Sequence, residues 1–216
     1  SVISTISSSL KIKKEMNILD DKEFYEALQS INRTSQHLSN TIDDFRNFFS
    51  PNKEMNKFYV SQLIKKSKDL IKSRFDKFNI KVIENIDDIE ILSYQNELFQ
   101  VILNLFSNSI DVLSSNEIED KIIHIKIYHD ENNLYIEFLD NGGGIKDEFI
   151  NRVFEPYFTT KHKSQGTGIG LYMSLQIVTK HLNGEISVKN DTFIENNIAY
   201  FGAKFTILLP IHPKNS

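Results

Sequence analysis

From Val2 to Phe49 the chain holds no glycine and no proline, and most of that stretch repeats apolar residues at the spacing of a helical seam. Phe24, Leu28, Ile31, Ser35, Leu38, Ile42, Phe45 and Phe49 follow at steps of four, three, four, three, four, three and four, with Ser35 the polar interruption. Such a stripe covers one side of a helix and has to be buried against a partner. Ile3, Ile6 and Leu10 give the shorter stretch from Val2 to about Met16 a similar spacing. Between the two, Asn17-Ile18-Leu19-Asp20-Asp21 predicts a turn with Asp20 or Asp21 as N-cap. A two-helix hairpin buries little by itself. It is completed either by a second copy of the chain, as a four-helix bundle, or by packing on the rest of its own chain. Pro51 ends the long helix, and Ser50-Pro51-Asn52-Lys53-Glu54-Met55-Asn56-Lys57 has the composition of a linker. The expected division is 1–52 and 53–216.

Beyond the linker the period changes. Helical pattern is expected at roughly 60–77, 94–114 and 168–182. Ile123, Ile125 and Ile127 alternate with His124, Lys126 and Tyr128, and Leu134, Ile136 and Phe138 alternate with Tyr135 and Glu137. Phe201, Ala203, Phe205 and Ile207 repeat the same pattern. Strands with one apolar face, interleaved with helices, predict an α+β arrangement: a mixed sheet covered by helices on one side, in two layers. The formal charge of −4, from 25 basic and 29 acidic residues, argues against nucleic acid as a partner. Cysteine is absent, which excludes disulfides and thiolate metal sites. No apolar run reaches membrane-spanning length. Because the chain opens on Ser1 and passes directly into helical pattern, it is expected to be part of a longer protein.

Six of the eight glycines lie between Leu139 and Ser174, in two clusters. In Asp140-Asn141-Gly142-Gly143-Gly144-Ile145 a strand ends in a carboxylate, and the residues after it lack side chains, which permits unusual φ and close approach of a flat ligand. Asp140 can accept a hydrogen bond from an exocyclic amine such as that of adenine. Gly166-Thr167-Gly168-Ile169-Gly170-Leu171 runs into helical pattern, so its unpaired N–H groups suit an anion. Each cluster taken alone is also an ordinary turn. Upstream, Asn104, Asn108 and Asp111 stand at i, i+4 and i+7 of a helix, a stripe that suits either a solvated face or a hard cation such as magnesium.

The order of these parts is more specific than any one of them. Asn104 and Asn108, then Asp140-x-Gly-x-Gly, then Phe154-Glu155-Pro156-Tyr157-Phe158-Thr159-Thr160-Lys161, then Gly166 to Leu171 resembles the catalytic ATP-binding domain of sensor histidine kinases. The resemblance covers about 57–210, and the preceding hairpin resembles that family's dimerisation and histidine-phosphotransfer region. It implies a Bergerat-type α/β sandwich binding ATP with Mg. It assigns magnesium to Asn108 with help from Asn104, and adenine to Asp140. The segment from about Phe154 to Gly166 is similar to a lid over the triphosphate, with Lys161 and Lys163 available to phosphates. Gly142, Gly144, Ile145, Thr167, Gly168, Ile169, Gly170 and Leu171 complete the implied ATP contacts, with Asp111 beside them.

The resemblance further implies a homodimer, a response-regulator receiver domain as partner, and a cytoplasmic location with no membrane segment in this part. Hydrolytic members of the wider superfamily place a glutamate where Asn104 stands. An amide there cannot take a proton from water, so phosphoryl transfer is expected rather than hydrolysis. The alternative is a noncatalytic nucleotide-binding signalling module. Two departures stand out. Ala203 follows Gly202 where relatives often carry threonine. The acceptor histidine of the family would precede Ser1; His37, His124, His129, His162, His181 and His212 are not at its position.

Overall fold

The computed structural model describes residues 2–32, 35, 54–161 and 167–211. The chain divides into two units, Ser1–Pro51 with Tyr157–Ile169, and Asn52–Pro156 with Gly170–Ser216. The seam residues from Leu38 to Phe49, His37, Pro51, Lys163 and Gly166 lie outside the described residues.

In the first unit, helix α1 spans Val2–Glu15 and helix α2 runs through residues 21–32. The turn between them is built as its residue types suggest. Asn17 takes the left-handed conformation at φ 55°, and the Ile18 N–H closes back on the Lys13 carbonyl at 3.0 Å. Asp20 is the N-cap: its carboxylate accepts the Glu23 N–H at 2.7 Å. Lys13 and Glu23 form an ion pair linking the two helices. Phe24 and Leu28 of the seam stay 39% and 41% exposed, so the stripe is incompletely covered. In the same unit, Tyr157 and Gly168 both have positive φ, 64° and 66°, and the Tyr157 N–H donates to the Gly168 carbonyl at 3.0 Å.

The second unit holds the remaining elements. Strand β1 (Asn56–Tyr59) leads into helix α3 (Val60–Phe78), followed by β2 (Ile80–Ile86) and β3 (Glu90–Ser93). Helix α4 (Gln95–Ser115), β4 (Lys121–His129) and β5 (Asn133–Asp140) come next. A single turn, α5 (Asp147–Ile150), precedes α6 (Gly170–Gln176), a π-helical turn (Ile177–His181), β6 (Glu185–Glu195) and β7 (Ile198–Pro210). One sheet has the order β2-β4-β5-β7-β6, and β1 pairs with β3 in a small second one. The larger sheet is mixed: β2 and β4 are parallel, while the other neighbours are antiparallel. A parallel pair needs a crossover, and α4 lies within it.

The expected α+β architecture with helices over a mixed sheet is the one found. Ile123, Ile125 and Ile127 of β4, Leu134, Ile136 and Phe138 of β5, and Phe205, Ile207 and Leu209 of β7 are all buried. The intervening His124, Lys126 and Tyr128 take the other face, as strand alternation requires. Phe106 of α4 stands edge-on between Phe75 of α3 and Phe138 of β5, with ring centroids 5.4 and 5.0 Å away. This aromatic column joins both helices to the sheet.

The expected helix over 168–182 is not uniform. After Gln176 it widens into a π turn, with the Leu182 N–H reaching back to the Ile177 carbonyl at 3.0 Å. The Thr179 hydroxyl occupies the Leu175 carbonyl at 2.7 Å, competition of a kind that distorts α-helical ladders. His181 at the end of this turn lies 3.0 Å from Glu97 in the first turn of α4. β1, β2, β3 and β6 are strands that the alternation reading did not include, and Asn56 and Lys57 of the expected linker begin β1.

Phe106 is fully buried and joins three elements. Phe106→Ala is therefore expected to cost about 3–5 kcal/mol, read as a fall in the urea midpoint with unchanged slope.

Candidate functional site

β5 delivers Asp140 to the point where the chain leaves the sheet, and the carboxylate is 3% exposed. Its Oδ1 accepts the Gly142 N–H at 2.9 Å and the Ala203 N–H at 3.4 Å. Its Oδ2 accepts the Ser109 hydroxyl at 3.2 Å. Burial raises the Asp140 pKa above the usual carboxylate value, and these three hydrogen bonds oppose the rise without cancelling it. Oδ1 holds two hydrogen bonds and Oδ2 only one, so Oδ2 has room for an amine offered by a ligand.

Space explains part of the glycine pattern. A Cβ on Gly142 would lie 2.3 Å from Val112 Cγ1, and one on Gly202 would lie 1.8 Å from the Asp140 carbonyl oxygen. Gly144 answers to conformation as well, with φ at +79°. Two asparagines that the sequence reading did not single out fasten this loop. Asn141 is 7% exposed; its Oδ1 accepts the Ile122 N–H at 2.8 Å, and its Nδ2 donates to the Asp120 carbonyl at 2.6 Å. Asn116 Nδ2 donates to the Gly142 carbonyl at 3.0 Å. Ser109 was also missed. Nothing local marks any of these side chains, since each acts on backbone or carboxylate distant in sequence.

α4 carries the polar stripe. Asn104 Nδ2 donates to the Gly170 carbonyl at 3.4 Å and to Ser174 Oγ at 3.3 Å, and the Ser174 hydroxyl donates to the same carbonyl at 3.0 Å. The helix is therefore tied to the start of α6 at Asn104 and to Asp140 at Ser109. Asn108, half-buried, falls between these two attachments and has no side-chain hydrogen bond among the described residues. Asp111 is held by Arg74 of α3 at 2.8 Å, and the same guanidinium donates to Ser107 at 3.0 Å. The structure thus brings together Asn104 and Gly170, and Asp140 with Gly142, while Asp111 faces a basic partner on α3. Leu171 and Ile145 are half-buried beside their glycines.

Thr167, Gly168, Ile169 and Lys161 belong to the other unit. There Thr167 Oγ1 accepts the Ile169 N–H at 3.3 Å, and Thr159 Oγ1 accepts the Lys161 N–H at 3.1 Å. A Cβ on Gly168 would lie 2.4 Å from the Tyr157 carbonyl carbon.

Among the described residues no group of three histidine, cysteine, aspartate or glutamate side chains could hold a metal. A cation near α4 would depend on amide oxygens and on oxygens brought by a ligand. That donor set, with Asn108 unengaged, fits magnesium and does not fit zinc.

Residues 93–213 match the family described as Histidine kinase-, DNA gyrase B-, and HSP90-like ATPase. The chain belongs to that ATPase family. Within it, the chain carries the histidine kinase ATPase domain of two-component sensors. It is similar to Sporulation kinase E of Bacillus subtilis (strain 168), with 32% identity over 155 residues, covering 71% of this chain and 19% of that protein. It is also similar to the signal transduction histidine-protein kinase AtoS of Escherichia coli (strain K12), with 28% identity over 159 residues, 73% of this chain and 24% of that one. The chain thus spans about a fifth of the length of these curated relatives. Among solved structures, a nucleotide-free catalytic domain of histidine kinase ThkA superposes with TM-score 0.61 at 25% identity, over 74% of this chain and 99% of that one. ThkA in complex with the response regulator protein TrrA shares the fold with TM-score 0.74 at 22% identity, over 100% of this chain and 59% of that one.

A carboxyl whose pKa is raised by folding contributes stability below the ordinary carboxylate range and loses it as pH climbs through the raised value. Asp140→Asn keeps an oxygen for the Gly142 N–H and has no charge to desolvate. Without nucleotide, this variant of the ATPase domain is expected to have the higher urea midpoint at pH 7, with the gap closing toward acid. A variant clearly less stable than wild type at pH 7 would mean that the carboxylate's hydrogen bonds outweigh its burial.

Proposed function

We propose that this chain is the ATP-binding kinase core of a two-component sensor histidine kinase. It transfers the γ-phosphoryl of ATP to a histidine and thence to an aspartate of a response-regulator receiver domain. The observation that carries the reading is Asp140: an almost fully buried carboxylate whose Oδ2 holds a single hydrogen bond, at the end of a central strand beside a glycine loop. Such a group selects a base with an exocyclic amine where it needs a donor, which adenine offers and guanine does not offer at the same position.

Asn108 and Asn104 stand on the helix that contacts Asp140, and they would hold magnesium. The cation would neutralise phosphate charge, which is most of what phosphoryl transfer asks of its catalyst. Gly142, Gly144 and Ile145 would line the base, and Gly166, Thr167, Gly168, Ile169, Gly170, Leu171 and Lys161 would receive the phosphates. Asp111 would contribute indirectly, through its ion pair with Arg74. Asn104 favours transfer over hydrolysis for two reasons: an amide is not a base, and its N–H donates to the Gly170 carbonyl, which a carboxylate would repel.

In this reading residues 1–52 form the dimerisation and phosphotransfer hairpin, and 53–216 the catalytic domain. The exposed Phe24 and Leu28 support a homodimer that covers the seam, and the same hairpin would receive the receiver domain. The use of ATP supports a cytoplasmic location in this reading. Among the described residues no helix is long and apolar enough to cross a membrane.

Calorimetry is expected to show binding of ATP in magnesium buffer. Absence of heat with both ATP and ADP would overturn the assignment. Asp140→Asn should reduce the preference for ATP over GTP by on the order of tenfold or more, the cost of a mispaired buried group. Asn108→Ala should remove most of the gain in ATP affinity that magnesium gives. After incubation with γ-labelled ATP, no acid-labile label is expected on His37, His124, His129, His162, His181 or His212 of this chain.

A further inference from the structure

We infer that Asn190, on β6, is a positioning residue for the base site, holding the loop after Asp140 in the shape that receives the nucleotide. The inference rests on the adenine-binding reading of that loop. The Asn141 N–H on the Ile122 carbonyl at 3.2 Å is the last bond to β4; residues 142–145 leave the ladder that holds β5 straight, so side chains help to hold them. Asn190 does so at both main-chain groups of one residue: its Oδ1 accepts the Ile145 N–H at 2.8 Å, and its Nδ2 donates to the Ile145 carbonyl at 2.7 Å. A primary amide presents a donor and an acceptor on one flat end, as an ionised carboxylate does not. Aspartate would satisfy the N–H but set a second oxygen against the carbonyl.

The clamp is close. A Cβ on Gly144 would lie 2.7 Å from Asn190 Oδ1 and 2.9 Å from Phe201 Cε1. The third glycine of the loop is therefore required by the hairpin behind it as well as by its own φ of +79°. The Phe201 carbonyl accepts the Gly143 N–H at 3.3 Å. Residues 143, 144 and 145 thus all meet the β6–β7 hairpin.

Register ties this contact to the carboxylate. Asn190 pairs across the hairpin with Ala203, and the Ala203 N–H donates to Asp140 Oδ1 at 3.4 Å. One cross-strand rung therefore touches the base-reading carboxylate through one member and the loop through the other. It sets the spacing between the group that reads a base and the main chain on which the base would rest. If Asn190 is lost, the loop drifts relative to Asp140 and the site no longer matches a purine, although no group that touches nucleotide has been removed.

The test uses the whole 216-residue chain with Asn190→Ala and Asn190→Asp, so that one variant remains if the other folds poorly. Both are titrated calorimetrically with ATP, ADP and AMP in magnesium buffer. Amide hydrogen exchange is followed on a peptide containing Ile145. Affinity is expected to fall about thirtyfold in the alanine variant, the factor two ordinary hydrogen bonds are worth together, and by the same factor for all three nucleotides because the damage is on the base side. Exchange at Ile145 should accelerate in the alanine variant. Wild-type affinity in a folded variant would overturn the inference, as would a loss that grows with the number of phosphates. If wild type itself bound none of the three nucleotides, the functional reading would fail, and with it the role given to Asn190. Binding by wild type with no loss in the variants would sink the positioning role alone.

Discussion

The second unit is organised around the cost of keeping one carboxylate out of water. Burying a charge without full compensation is among the most expensive things a fold can do, and Asp140 is buried with three donors that leave its pKa still raised. Those donors come from α4, from the loop and from β7. The groups that make burial tolerable are thus the ones that bring helix, loop and hairpin to a common point. A surface aspartate would need none of them.

α4 transmits this constraint. Its apolar side is fixed by Phe106, wedged between Phe75 and Phe138, so the rotation of the helix is set by the core. That rotation places Ser109 on Asp140 and Asn104 on Gly170, with Asn108 between them. The polar stripe is positioned by the aromatic column behind it, and repacking of the core would be felt at the amides.

The sequence was most informative where one residue's environment is set by its near neighbours. Alternation in β4, β5 and β7 showed the strands and most of their buried faces, Phe201 at the start of the β7 pattern being exposed. Asp20 was legible as a cap because capping acts within one turn. β2 and β6 were not legible: Lys81, Glu84 and Asn85 interrupt one strand, Lys189, Asn190 and Asp191 the other, and both are edges of their sheet, where polar residues are tolerated on either face. The ion pair of Asp111 joins residues on two different helices, and no spacing rule reveals such a partner. The asparagines that hold the glycine loop were hidden for a related reason. Asparagine is common in turns, and only the fold shows that Asn116, Asn141 and Asn190 bind backbone far from their own positions. The π turn escaped because it changes hydrogen-bond spacing without changing the apolar pattern.

Gly202 has a consequence for how the hairpin can vary. With the Asp140 carbonyl where a Cβ would otherwise stand, β7 and the end of β5 meet backbone against backbone. Sliding β7 by a single residue would bring Phe201 or Ala203 to that point, and neither fits. The glycine therefore works as a notch that admits one alignment of the two strands. Lengthening or shortening at the Asn196–Asn197 turn should be absorbed at the hairpin tip, leaving the carboxylate end undisturbed.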